Sequence, residues 1–215
     1  MIGATYGTAR LDAGTWTITA GPHVLMRLKR VIDCISKRDI GEVRISHTPE
    51  HCRVSGQILP EVRFEVKLPA AWNRRLHMSG NGGYAGVIPP GFGLPALRLG
   101  YAVTATDTGH DATLEPLATF AVSRQKLLDY AYRAVHVTAL TARQIARAYY
   151  GAPAVRAYFQ GCSTGGRQGL MSAQRFAEDF DGIVVGAPVL DFTGTMIFGA
   201  WVSRALLAGP VPISK

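Results

Sequence analysis

Gly161-Cys162-Ser163-Thr164-Gly165 has the form G-x-S-x-G. A serine between glycines acquires chemical meaning when a strand leads into it and a helix leads away, because the tight turn lifts its hydroxyl clear of the backbone. Both flanks have that character. Residues 155–159 are β-rich, and residues 166–177 have a helical composition. A serine so placed can attack a carbonyl carbon, with the first amides and the dipole of the helix behind it to receive the developing oxyanion. The chemistry is acyl transfer with Ser163 as nucleophile. The bland alternative is a glycine-rich turn carrying an inert serine.

Acyl transfer needs a second oxyanion donor, and in such folds it comes from a loop after an early strand. Ser79-Gly80-Asn81-Gly82-Gly83 follows a short strand pattern at 75–78. The amide of Thr164 and one from Gly82 or Gly83 are therefore the candidate oxyanion hole. A general base is harder to find. His77, His110, His136, Asp107 and Asp111 all precede Ser163, whereas in this fold the acid and histidine follow the serine. His136 falls inside a long helical pattern and reads as structural. Asp107-Thr108-Gly109-His110 reads first as a turn and second as a segment lining the site. The catalytic acid and histidine are absent from the chain. Cys34, Cys52 and Cys162 are too far apart for a metal-ligand spacing, so no metal is expected here.

The elements that must hold these groups alternate. Val62, Phe64, Val66 and Leu68 recur at every second residue, a half-buried strand stopped by Pro69. Residues 101–105, 155–159 and 183–185 read as further strands. Leu127, Ala131, Ala134, Val135, Thr138, Ala142, Ile145 and Tyr149 recur at helical spacing, which predicts one helix over 124–150 closed by Gly151 and Pro153. A second helix is expected over 166–177. Strands alternating with helices imply a mostly parallel sheet covered on both faces. Residues 1–45 are poorly readable.

With 215 residues, 47% hydrophobic and 18% charged, the chain can bury a substantial core. Its net charge of +8 is scattered, with no zinc-finger spacing or aromatic nucleic-acid motif, so no nucleic-acid partner is expected. No run approaches the roughly 18 apolar residues of a membrane span. No compact apolar leader stands at residues 1–20. The chain as written reads as intracellular or as lacking its natural start. An odd number of cysteines leaves at least one free thiol or one missing partner.

The stretch from Tyr158 through Gly161-Cys162-Ser163-Thr164-Gly165-Gly166-Arg167-Gln168 to Leu170 resembles the tannase and feruloyl esterase family. So do Asp179-Phe180-Asp181-Gly182-Ile183-Val184-Val185-Gly186-Ala187-Pro188, Gly80-Asn81-Gly82-Gly83-Tyr84-Ala85-Gly86 and Ala105-Thr106-Asp107-Thr108-Gly109-His110. The resemblance covers roughly residues 50–200. It implies an α/β-hydrolase fold, here incomplete, lacking most of the lid and the C-terminal strands. The catalytic domain would occupy 46–195, and the lid insertion would start over 196–215. It implies a serine carboxylesterase acting on small aromatic-acid esters such as feruloyl or galloyl esters. It also implies Cys162 as half of a disulfide whose partner is absent, Cys34 and Cys52 as a second pair, a calcium ion in the missing lid, and a secreted or periplasmic location. A non-catalytic remnant or interaction module of the same fold is the other reading.

Overall fold

The computed structural model describes residues 48–208 together with the backbone of residues 16–19, 25–28 and 32–35. The poorly readable segment 1–45, the Cys34 side chain and residues 209–215 therefore lie wholly or largely outside the described residues. Nine strands form one sheet. The short strands β1 (Trp16–Thr19), β2 (Leu25–Leu28) and β3 (Ile32–Ile35) come first. They are followed by β4 (His51–Ile58) and β5 (Val62–Pro69), an antiparallel hairpin with His51 opposite Pro69 and Ile58 opposite Val62. Strands β6 (Arg75–Ser79), β7 (Ala102–Thr106), β8 (Arg156–Cys162) and β9 (Gly182–Gly186) complete it. The order is β1-β2-β4-β5-β7-β6-β8-β9, with β3 also pairing β4. Strands β7, β6, β8 and β9 run parallel.

Alternation explains the hairpin. Val62, Phe64, Val66 and Leu68 are buried in the main core, while Arg63 and Glu65 point to the other face. All five residues of β7 are buried, as expected for a central parallel strand covered on both sides. Helix α1 (Leu94–Arg98) covers one face, where Val103 and Ala105 meet Leu97 and Phe92. On the other face, Leu76, Met78 and Ala102 pack with Ala134, Val135, Ala139, Ala142 and Ile145.

The helix predicted over 124–150 is not uniform. It begins as α2 (Arg124–Leu128), capped by the Ser123 hydroxyl, passes through a π-turn (Asp129–Arg133) and continues as α3 (Ala134–Tyr150). Gly151, at φ 68, closes it in the left-handed conformation that helix ends favour. Helix α4 (Thr164–Arg175) connects β8 to β9, and α5 (Phe192–Leu207) follows β9. The expected boundary at 195/196 falls within α5. Ile197, Phe198 and Trp201 of α5 are exposed.

The connections make a switch point. From β6 the chain steps outward to β7 by way of α1. It then returns across the opposite face through α2 and α3, and enters β8 on the far side of β6. Ligands in open α/β sheets bind beyond the carboxyl ends of strands where the order reverses in this way. Here that place lies between β6 and β8. Leu76, in β6, is completely buried at the centre of the core. Leu76→Ala should cost about 2–5 kcal/mol, and Leu114→Ala, at an exposed loop position, under about 0.5 kcal/mol. Urea unfolding of the two variants checks the contrast.

Candidate active site

Strand β8 continues three residues beyond the expected end at Phe159, to Cys162, so Ser163 stands directly at the junction with α4. Its backbone has a positive φ in a sparsely populated region, φ 59 and ψ −118. A non-glycine residue held there carries roughly 1–3 kcal/mol of strain. Three backbone hydrogen bonds hold it. Ser163 N donates to Gly186 O at 3.0 Å, and Ser163 O accepts from Arg167 N at 3.1 Å and Val189 N at 3.4 Å. The residue itself is exposed.

Close approach explains the glycines beside it. A Cβ on Gly161 would lie 2.5 Å from the carbonyl of Gly165, and one on Gly80 would lie 2.7 Å from Gly165 Cα. The start of α4 therefore rests on the ends of β6 and β8 with no side chain between. Gly82 and Gly83 differ. A Cβ on either would meet no protein atom within 4 Å, so the space beside them is open. Gly83 is left-handed, φ 53, within a turn closed by Ala85 N donating to Gly82 O at 2.9 Å.

Hydrogen bonds tie this loop to α4. Thr164 Oγ1 donates to Gly83 O at 2.5 Å. Gln168 Oε1 accepts from Asn81 N at 2.9 Å, its Nε2 donates to Asn81 Oδ1 at 3.0 Å, and Asn81 Nδ2 reaches Thr106 O at 2.7 Å. Asn81 and Gln168 are buried, so each bond forms without competition from water. The pairing of the amide side chains at 81 and 168 is a feature of the site that motif reading passed over. Their signal was a loop asparagine and a glutamine one helical turn past the elbow, which only tertiary contact makes meaningful.

The upstream acids and histidines are placed elsewhere. Asp107 accepts from Arg63 N at 2.9 Å, Arg63 Nε at 2.5 Å and Gly109 N at 2.8 Å, so its carboxylate serves the Arg63 guanidinium and a turn. Arg63 also holds Asp111 at 2.9 Å. His110 is buried and stacks on Phe120 with ring centroids 4.0 Å apart. His77 lies on the sheet face, edge-on to Tyr101. His136 Nδ1 meets Asp179 Oδ2 at 2.7 Å and its ring stacks on Phe176, a structural pairing. His51, in β4, has Nδ1 2.8 Å from Pro49 O. Among the described residues, no three His, Cys, Asp or Glu side chains form a group that could hold a metal ion. No described helix is long and apolar enough to cross a membrane.

Cys162 is a free, exposed thiol. Cys34 lies directly across the β3–β4 ladder from Cys52, and the Cys52 sulfur is 2.9 Å from the Tyr149 hydroxyl.

With Ser163 at the end of β8 and the glycine loop pinned beside it, a family model described as "Tannase and feruloyl esterase" matches residues 46–212. The chain belongs to the tannase and feruloyl esterase family. A mono(2-hydroxyethyl) terephthalate hydrolase of Piscinibacter sakaiensis is 34% identical, over 89% of this chain and 36% of that protein. A probable feruloyl esterase B-2 of Aspergillus flavus is 36% identical, over 71% of this chain and 30% of that protein. The crystal structure of feruloyl esterase B from Aspergillus oryzae superposes with a TM-score of 0.67 at 28% identity, covering 89% of this chain and 38% of that one. The fold is thus that of the α/β-hydrolase esterases of this family. The chain spans about a third of the length of these relatives.

Burial pushes both His77 and His110 below the ordinary histidine range. The unfolded chain then binds protons that the folded chain refuses. The stability these neutral rings contribute is complete above a pH of about 6.5 and is lost as pH falls through the window beneath it. Urea midpoints should fall between about pH 7.5 and pH 5.5, and His77→Gln and His110→Gln should each flatten that fall.

Proposed function

We propose that this chain carries the nucleophile half of a serine carboxylesterase that hydrolyses small aromatic-acid esters. The observation that carries the reading is the hydrogen bond that ties the start of α4, directly after Ser163, to the Gly82-Gly83 loop. A strained, exposed serine at the helix start is fastened through Thr164 to a loop whose glycines leave open room beside them. Names of relatives support the class, since feruloyl esterases and a terephthalate-ester hydrolase are among them.

In this mechanism Ser163 Oγ attacks the ester carbonyl and forms a tetrahedral intermediate. Its oxyanion accepts hydrogen bonds from Thr164 N and from Gly82 N or Gly83 N. Collapse expels the alcohol and leaves an acyl-enzyme, which water cleaves. A base must take the proton from Ser163, and no histidine follows Ser163 in these 215 residues. The acid and the histidine would come from residues other than these, as would a calcium-binding lid. The exposed Leu190, Ile197, Phe198 and Trp201 around α5 suit a surface that such added residues cover. A secreted or periplasmic location goes with the reading, as does a Cys34–Cys52 disulfide. Titration of the denatured, unreduced chain with a thiol reagent should then modify Cys162 alone.

A missing base also favours the second reading, a non-catalytic remnant of the fold. One set of measurements separates the two. This chain alone should hydrolyse p-nitrophenyl and feruloyl esters barely above background, because a neutral hydroxyl is a weak nucleophile. A chimera joining it to the C-terminal portion of a feruloyl esterase B should gain about 10⁴-fold, the scale lost when the triad acid alone is replaced. Ser163→Ala in the chimera should abolish the gain. A folded chimera without turnover would favour the remnant, and turnover by the short chain that survives Ser163→Ala would refute the assignment of Ser163.

A further inference from the structure

The π-turn and Arg167 form a device that neither the acyl-transfer chemistry nor the family pattern explains. In a regular helix the Tyr130 carbonyl would accept from the amide of Ala134. Here Ala134 N reaches back to Asp129 O instead, which closes the wider turn and releases Tyr130 O. The Arg167 guanidinium takes up the released group. Nη2 donates to Tyr130 O at 3.2 Å and Nη1 to Ala131 O at 3.0 Å. The same guanidinium lies 4.6 Å above the centre of the Tyr130 ring. Its Nε is buried with no hydrogen-bond partner, a cost that a structural arginine on a helix surface would avoid.

Arg167 is one turn past the nucleophile, with its amide on Ser163 O. Tyr130 is buried, and its hydroxyl donates to Gly83 O at 3.4 Å. Thr164 Oγ1 donates to that same oxygen. Gly83 O therefore has two donors, one from the π-turn and one from the start of α4. Because the peptide unit is planar, fixing its oxygen fixes the plane of the Gly83–Tyr84 peptide and the turn that carries the Gly82 and Gly83 amides.

We propose that Arg167 is a positioning residue for the oxyanion loop: its guanidinium fastens the π-turn and the Tyr130 ring, and Tyr130 together with Thr164 sets the Gly83 carbonyl. This rests on the reading of Gly82-Gly83 as an oxyanion donor given above. Lysine cannot replace the arginine, because two carbonyls and a ring face need a planar fork, not a point charge.

Hydrogen exchange read by NMR on this chain tests it. The reporter is the Ala85 amide, whose bond to Gly82 O closes the loop's turn. Arg167→Lys and Arg167→Met should each speed its exchange about tenfold, with amides of the β5–β7 ladder unchanged. Tyr130→Phe removes one oxygen atom and should produce the same local effect, and adding Arg167→Lys to it should add nothing. Unchanged Ala85 exchange in Tyr130→Phe, full rescue by lysine, or an effect of Arg167→Lys that persists undiminished beside Tyr130→Phe would each overturn the proposal. Exchange that rises equally throughout the sheet would also overturn it, since that marks general loss of stability. Ser163→Ala should leave Ala85 exchange at its wild-type rate, so failure of the esterase assignment in the chimera and failure of this clamp are read separately.

Discussion

Backbone pressed on backbone at Gly165 governs the architecture around Ser163. Gly80 at the end of β6 and Gly161 near the end of β8 both approach it too closely for a methyl group. Once α4 must start against those two strand ends, the chain has no room to leave β8 gradually. The reversal concentrates in one residue, and Ser163 takes a positive φ that a non-glycine residue seldom adopts. Its strain, about 1–3 kcal/mol, is held by backbone hydrogen bonds to Gly186, Arg167 and Val189. The geometry of Ser163 is thus set by how closely a helix can lie on a sheet.

The glycine loop is anchored at both ends by different means. At its start the buried amide pair Asn81 and Gln168 connects it to α4. At its end Gly86 N donates to Asp107 O, and Asp107 is itself held by Arg63. A neutral clasp on one side and an ion pair on the other leave the middle of the loop without bulk, facing open space. Rigid ends with an unobstructed centre would suit the oxyanion role proposed for its amides, because donors already in place need not reorganise.

Much of this was legible in the residues. The alternation of Val62, Phe64, Val66 and Leu68 showed the strand and the face it buries, and G-x-S-x-G with its flanks showed the turn. The order of the strands was not legible, because it depends on which side of β6 the chain returns to, and no local pattern records that. The π-turn was invisible for a related reason. Leu127, Ala131, Ala134 and Val135 satisfy helical spacing closely enough that one extra residue in a turn leaves the apolar stripe intact. Asn81 and Gln168 stand 87 positions apart, and their partnership exists only once the sheet has formed. The sequence also showed histidines and acids before Ser163 without showing that Asp107 is bound to Arg63 and His110 enclosed beneath Phe120.

The wide turn at Asp129–Arg133 sets how this segment can change over evolutionary time. A π-turn is an α-helix with one residue inserted, and deleting one codon there would restore regular hydrogen bonding. It would also rotate α2 by about 100° relative to α3. Ser123 and Lys126 would turn away from their present partners, and the Tyr130 carbonyl would return to the helix ladder. Loops elsewhere on the surface can gain or lose residues at little cost. This segment, helical and exposed in part, behaves in the opposite way. Its length is as constrained as that of a core strand, while most side chains on its outer face are free to vary.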